Sequence, residues 1–433
     1  MSRTLPPRPD LTQLKHQAKD LLHAHERKDA DCCSVLRRLR QFASADDAGI
    51  FSQPLALHEA QYALAMEYGF ASWNAMKRYV EKVTGRPSPV RREKDRTYIA
   101  GLEKHPIGGD GVHENSVLAA IAGIMQALGE DELTYEYLVG VSGAAFRVQM
   151  HQPNWCPSAA CAPCGYDCVP GAMAATGYRL TWLPVKHDPD LEQAIVKAAP
   201  SIRASIERGV PVLYASEETC LAVGYRDDGQ RICRNYASRE EGYHDTNDWP
   251  WVVGVIEPSD APPDRREAVA NSLRLAVTLA RTERFGKYLS GFAALQYWID
   301  GLRDESRFAG LNEKNWFGVA LANGYCYGSL WSSRLAAEKY LREAAEEHQE
   351  PARTPLLQIA ALYRRIHETL GRKRPEYECA WSLQPWRIGG QDKWTPQMRH
   401  AEAEALKDVL DLEQQAVAKI EAVAPLLAPA PKT

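Results

Sequence analysis

The chain of 433 residues has no surplus of positive charge: 52 Lys and Arg stand against 56 Asp and Glu, for a net charge of -4, and the isoelectric point lies near 6.3. Phosphate backbones are gripped by clustered cations, so this balance argues against a nucleic-acid partner. No uncharged apolar run approaches the roughly 20 residues that cross a bilayer, which argues against a membrane partner. The opening "MSRTLPPRPDLTQLKHQAKDLL" lacks the apolar core of a signal peptide, so a cytosolic location is expected. Cysteine is present, but not in the pattern of a secreted disulfide scaffold. The ten residues are thinly spread outside one cluster, and with no export signal they are expected to be mostly reduced. The polar bias of a disordered chain is missing too, since 45% of residues are apolar and 25% charged. What remains is a globular chain long enough for several domains.

Residues 1–85 read as a helical module. Leu11, Leu14, Ala18, Leu21 and Leu22 recur at helical spacing behind an Asp10 cap, and "LALHEAQYALAMEYGFASWNAMKRYV" carries two more helices broken at Gly69. His58 and Glu59 read as a solvated helix start. The segment resembles, through "LKHQAKDLL" and "HEAQYALAMEYGFASW", a short helical module found in front of ankyrin repeats, but no ankyrin repeat follows. Residues 86–107 have the mixed charge and Pro/Gly/Ser content of a linker. A second boundary is expected at "EPSDAPPDRRE", residues 257–267.

Between these boundaries, residues 108–257, the periodicity switches. A helix comes first. "FRVQM" then alternates as a strand, with Phe146, Val148 and Met150 apolar and Arg147 and Gln149 polar. "RLTWLPV", "PVLYAS", "CLAVGYRDD", "RICRNYA" and "WPWVVGVIEP" continue as strands, with "DDGQ" a hairpin turn and "DLEQAIVKAAPSIRASIERG" a helix bent at Pro200. A helix followed by consecutive antiparallel strands defines an α+β domain. Residues 264–433 read as helical throughout, with aromatic stripes in which Trp298, Trp316 and Trp331 are candidates for core or ligand contact. The charged last helix has enough coiled-coil character to pair with a partner.

The most informative stretch is "GVHENSVLAAIAGIMQALG", residues 111–129. Val117, Leu118, Ile121, Ile124, Met125 and Leu128, with alanines between, leave no polar face, so this helix must be enclosed by protein. Its first turn then points unpaired N–H groups and a positive dipole end at whatever lies there. Asn115 or Ser116 caps those donors in the plain reading. In the functional reading, a nucleophile at Ser116 is favoured by the same field.

At this point residues 108–257, with "ALGEDELTYEYLVGVSGAAFR" and "PVLYASEETCLAVGYRDDGQRICRNYA", resemble the butirosin-biosynthesis acyltransferase family. "YLSGFAALQYWIDGLR" and "SSRLAAEKYLREAA" are similar to the helical half that accompanies it. The resemblance covers roughly three quarters of the chain. It implies a papain-like core with an antiparallel sheet and a buried central helix, flanked by helical domains. It also implies acyl transfer from a carrier-bound thioester to a small amine-bearing acceptor by a Cys nucleophile, a His base and an orienting Asp or Asn. Counting back from Gly129 puts the nucleophile at Ser116. Six residues before Gly224 puts the base at Glu218, and the orienting residue falls on Asn235. Two of the three positions therefore depart from the family's chemistry, and His113, one turn before Ser116, is the candidate replacement base.

"WCPSAACAPCGYDC" places Cys156, Cys161, Cys164 and Cys168 at x4, x2 and x3 spacing. Four thiolates so close could close a tetrahedral zinc site, form an inert or redox-sensitive thiol group, or let Cys156 supply the missing thiolate if its strand runs back over the helix start. His151, just upstream, is a ligand, a base or a surface residue. The leading expectation is an acyltransferase or amidohydrolase-like enzyme using Ser116 or Cys156 with His113, Glu218 and Asn235. The alternative is a catalytically silent binder in which Glu114, Asn115, Glu218 and Tyr225 line a pocket for a small polar or cationic ligand and the helical parts engage a partner.

Overall fold

The computed structural model describes residues 5, 9–70, 72–84, 89–259, 262 and 264–427. The chain divides into two compact units, Met1–Ser88 and Pro89–Thr433. In the first, Asp10 accepts from the Thr12 and Gln13 amides to start the helix Leu11–Glu26. The expected second and third helices are Leu57–Glu67 and Trp73–Thr84, separated at Gly69, whose φ is 81°. Leu11, Leu14, Ala18, Leu64, Met76 and Val80 form one apolar cluster, and Leu21, Leu36, Phe42 and Ile50 another. At the start of the second helix Glu59 folds back to accept from the Ala56 amide at 2.8 Å.

The second unit is built on an antiparallel sheet of eight strands. They are β1 (Val90–Arg92), β2 (Arg96–Ile99), β4 (Tyr178–Pro184), β5 (Val212–Ala215), β6 (Thr219–Arg226), β7 (Arg231–Arg234), β8 (His244–Thr246) and β9 (Val252–Pro258). The order is β1-β2-β6-β5-β9-β4, with β7 joining β6 to β8. A smaller sheet pairs β3 (Gln149–His151) with β11 (Tyr288–Ser290), and β11 with β10 (Arg284–Phe285). The architecture is α+β, as expected. Three of its features correct the reading of the sequence.

Residues 89–107 of the expected linker are not a linker. Residues 85–88 lie outside the described residues, but 89–107 carry β1 and β2, an edge hairpin with Val90 and Ile99 buried. The charge run between them is the solvated tip, where Arg96 pairs with Glu93. Positions 260, 261 and 263 of the second expected boundary lie outside the described residues. The segment separates no independent body, because a single apolar cluster runs from Leu102 through Leu118, Trp298 and Tyr327 to Leu427. Residues 264–433 are not helical throughout either, since β10 and β11 form a hairpin and β11 pairs with β3.

Helical layers close the core. The helix Glu313–Glu346 runs beside Arg353–Gly371, and Pro396–Val423 packs on Arg353–Gly371 and on Gly291–Arg303. The apolar stripe of that last helix, including Leu406, Val409, Val417 and Ile420, is buried within the unit, so its coiled-coil pattern is satisfied internally. Trp298 is core, its Nε1 donating to Asn323 at 2.8 Å.

Candidate functional site

The apolar helix runs from Ser116 to Leu128, and every residue from Ser116 to Met125 is buried. Asn115 is its cap, accepting from the Leu118 amide at 3.1 Å, and Gly129 closes the other end in the left-handed conformation. With capping done by Asn115, Ser116 is released for another role. Its hydroxyl donates to the Glu218 carboxylate at 2.8 Å and accepts from the Thr219 amide at 3.3 Å. Glu218 sits in the turn between β5 and β6, so the pairing joins residues 102 positions apart. Burial raises the Glu218 carboxyl to about 7; Ser116 lowers it, and the neighbouring Glu114 and Glu217 raise it further.

The segment before the helix is folded by local polar bonds. Glu114 accepts from the Gly111 amide at 2.8 Å, and burial raises its carboxyl. His113 does not turn toward Ser116: its Nδ1 meets Asp110 at 2.6 Å, and its ring packs on Tyr135 at 4.8 Å. Burial alone would raise Asp110, but His113 and the amides of Val112 and His113 outweigh it and hold the carboxyl down at about 2. Gly108 and Gly109 let this loop lie against Tyr236 and Ala237, where a Cβ would fall 2.2 Å and 2.4 Å from side-chain atoms. The contact is sealed by the Ala237 amide on the Ile107 carbonyl at 2.8 Å.

The other residues singled out in the sequence scatter. Asn235 is exposed just beyond β7, and among the described residues it makes no hydrogen bond to Ser116 or Glu218; its neighbour Tyr236 faces the site instead. Tyr225 lies far along β6 from Thr219, on the order of 20 Å at the rise of a strand. Its hydroxyl donates to Glu207 and its ring carries Arg203, on the opposite layer. His151 is bound to the Asn154 carbonyl at 2.7 Å.

The cysteine loop is organised by an arginine rather than by its thiols. Arg147 reaches the carbonyls of Ala160, Cys161, Ala162, Cys164 and Tyr166 at 2.9 to 3.3 Å. Gln149 donates to the Cys164 carbonyl and accepts from the Tyr166 amide. Arg147 and Gln149, the polar positions of the alternating stretch, are therefore buried. No three Cys, His, Asp or Glu side chains among the described residues stand where they could hold a metal ion. Cys156, Cys161, Cys164 and Cys168 do not form the tetrahedral zinc site that their spacing suggested. Cys156 accepts from Ser158 at 3.0 Å, the hydroxyl that also meets Tyr288 at 2.9 Å, whereas the partners of the Ser116 hydroxyl are Glu218 and Thr219. Cys161 is the thiol near Glu218; burial, Cys164 and Glu218 push it up to about 12.

A cavity of about 910 Å³ opens between the start of the buried helix and the helical layer. Its half-buried walls are Glu114, Tyr236, Tyr325, Trp381 and Ser382, with Ala160 from the cysteine loop. The exposed rim carries Asp110, Glu376 and Glu378 against Arg239, Arg387 and Lys393, together with Trp386. All three basic lining residues are thus at the rim, and the one charged side chain of the half-buried wall is Glu114. Glu218 acts through that wall: after burial, its charge and that of Glu114 raise the hydroxyls of Tyr236 and Tyr325. The tryptophans at the cavity are Trp381 and Trp386, not Trp298, Trp316 or Trp331. Nothing local in "ECAWSLQPW" could have joined them to residue 114, since the contact is made only in three dimensions. Comparison with known protein families and with curated proteins finds no match for the chain.

Proposed function

We propose that the protein binds a small organic cation in this cavity. The observation that carries the reading is the distribution of charge and aromatic surface: an acidic wall at Glu114, backed by Glu218, between the rings of Tyr236, Tyr325 and Trp381. Ring faces and a carboxylate together recognise an ammonium group, and a part-desolvated site strengthens both attractions. Ser116 and Glu218 serve as support on this reading, since the serine hydroxyl is buried and both donates and accepts. Titration calorimetry with spermidine and choline, using citrate as the anionic control, tests it. Binding of a cation that is weakened at least tenfold by Glu114→Gln, with no binding of citrate, is expected. Equal binding of cations by the wild type and Glu114→Gln would overturn the reading.

One observation favours a second reading, acyl transfer on a papain-like core as the resemblance implies. A carboxyl near 7 is a far better base than an ordinary one, and Glu218 accepts directly from a serine at a helix start. Ser116 would attack, Glu218 would take its proton, and the cavity would hold the amine acceptor. His113, bound to Asp110, has no part in it. Release of thiol from a short acyl thioester, abolished by Ser116→Ala while the fold is retained, would favour the enzyme; no turnover by the wild type would leave the binder.

A further inference from the structure

The CxxC pair of the clamped loop has a geometry that neither reading of the cavity uses. Cys161 and Cys164 are the ends of a tight turn, the Cys164 amide donating to the Cys161 carbonyl at 3.3 Å. Such a turn holds its end Cα atoms within about 7 Å, which overlaps the roughly 4.4–6.8 Å that a disulfide requires. The two thiols are close enough that each cysteine's charge is felt by the other, and both side chains are half-buried rather than sealed. The turn is also held in place: the Arg147 guanidinium binds both cysteine carbonyls, at 2.9 and 3.3 Å, and Gln149 binds that of Cys164 at 2.9 Å. Two thiols presented on a fixed frame lose little freedom on joining.

We propose that Cys161 and Cys164 are a reversible dithiol–disulfide site that exchanges with small-molecule disulfides. The Cys164 thiolate attacks one sulfur of the incoming disulfide, giving a mixed disulfide on Cys164 and releasing one small thiolate. The second cysteine then attacks the protein sulfur of that bond, closing Cys161 to Cys164 and releasing the second thiolate. The two protein thiols give up two electrons and two protons, and the small disulfide becomes two thiols. The competing pairs are less suited. Cys233 is buried in the sheet core beside Cys220, and Cys156 is engaged by Ser158.

The full-length protein equilibrated in glutathione buffers of increasing oxidised fraction, quenched in acid, alkylated and mapped by peptide fragmentation tests the assignment. Two of the ten thiols should disappear together, leaving Cys156 and Cys168 as the alkylated residues of the loop, and added dithiothreitol should restore both. Cys156→Ser should behave as the wild type. Cys161→Ser should stop at a glutathione adduct on Cys164, and if that variant fails to fold, the wild-type map decides alone. Closure between Cys156 and Cys164 or between Cys220 and Cys233, or full alkylation of Cys161 and Cys164 in the most oxidising buffer, would overturn the proposal.

Discussion

Arg147 shows how one side chain can organise a loop for which a zinc ion was one of the possibilities. A guanidinium has five donors in a rigid fork, and five loop carbonyls converge on it here. Arg147→Met leaves those acceptors without their donor in a largely buried place and should cost about 3 kcal/mol or more. A thermal melt checks this; Arg147→Lys, with three donors, should recover part of the loss, and a chelator added to the wild type should not shift the melting temperature. Glu218 gives a prediction of pH dependence. Its carboxyl stands at about 7 in the folded chain, against roughly 4.3 when unfolded. Between these values the folded state holds more protons, so Glu218's contribution is fully present below about pH 4 and is lost as pH rises through 7. Denaturant titrations of Glu218→Gln should show a flatter fall in stability from pH 5 to 8 than the wild type. An unchanged slope would mean that Glu218 is solvated.

Among the elements, the buried helix was legible because its sequence leaves no face for water, and Gly129 and Asn115 mark its ends. The strands β4 to β7 and β9 were legible from alternation and from the turn residues between them. β1 and β2 were hidden because an edge hairpin can be almost all charge: in "VRREKDRTYI" only Val90 and Ile99 are buried. β10 and β11 were hidden by brevity, since two or three residues carry no period. Of the site, the Ser116–Glu218 pairing was accessible through the resemblance. Asn235 was not placed by it, because the chain leaves the sheet at the end of β7. The short helix Tyr135–Val141 adds a test of packing. A Cβ on Gly140 would come within 2.2 Å of the Tyr340 ring, and that ring is fully buried with its hydroxyl on Ser272 at 2.8 Å. Gly140→Ala should therefore destabilise by roughly 1–3 kcal/mol through overpacking, despite alanine's better helix propensity. Chemical denaturation reads the outcome, and a gain in stability would show that Tyr340 can move aside.

For the whole molecule, the α+β layer and the helical layer share one interior, and Arg334 is the most explicit join between them. It lies on the long helix, is fully buried, and bonds Glu413 of the last helix at 2.5 Å. Its remaining donors reach the carbonyls of Ala145, Phe146 and Arg147 at 2.7 to 3.3 Å. Arg147, which clamps the cysteine loop from two residues before β3, is thus itself held by the helical layer through its carbonyl, so the cavity wall depends on both layers. A fragment ending near residue 259 would expose the face of Tyr135–Val141 that the long helix now covers, where Tyr340 packs on Tyr137, Gly140 and Phe146. It would also leave the carbonyls of residues 145–147 without the arginine. Residues 89–259 alone should show no cooperative thermal transition and should bind a hydrophobic dye, whereas residues 89–433, which keep the entire cluster, should melt in one sharp step. A sharp melt from the shorter fragment would show that the sheet and its helix carry a sufficient core of their own, and the cavity would then be an interface between two domains rather than a feature of one.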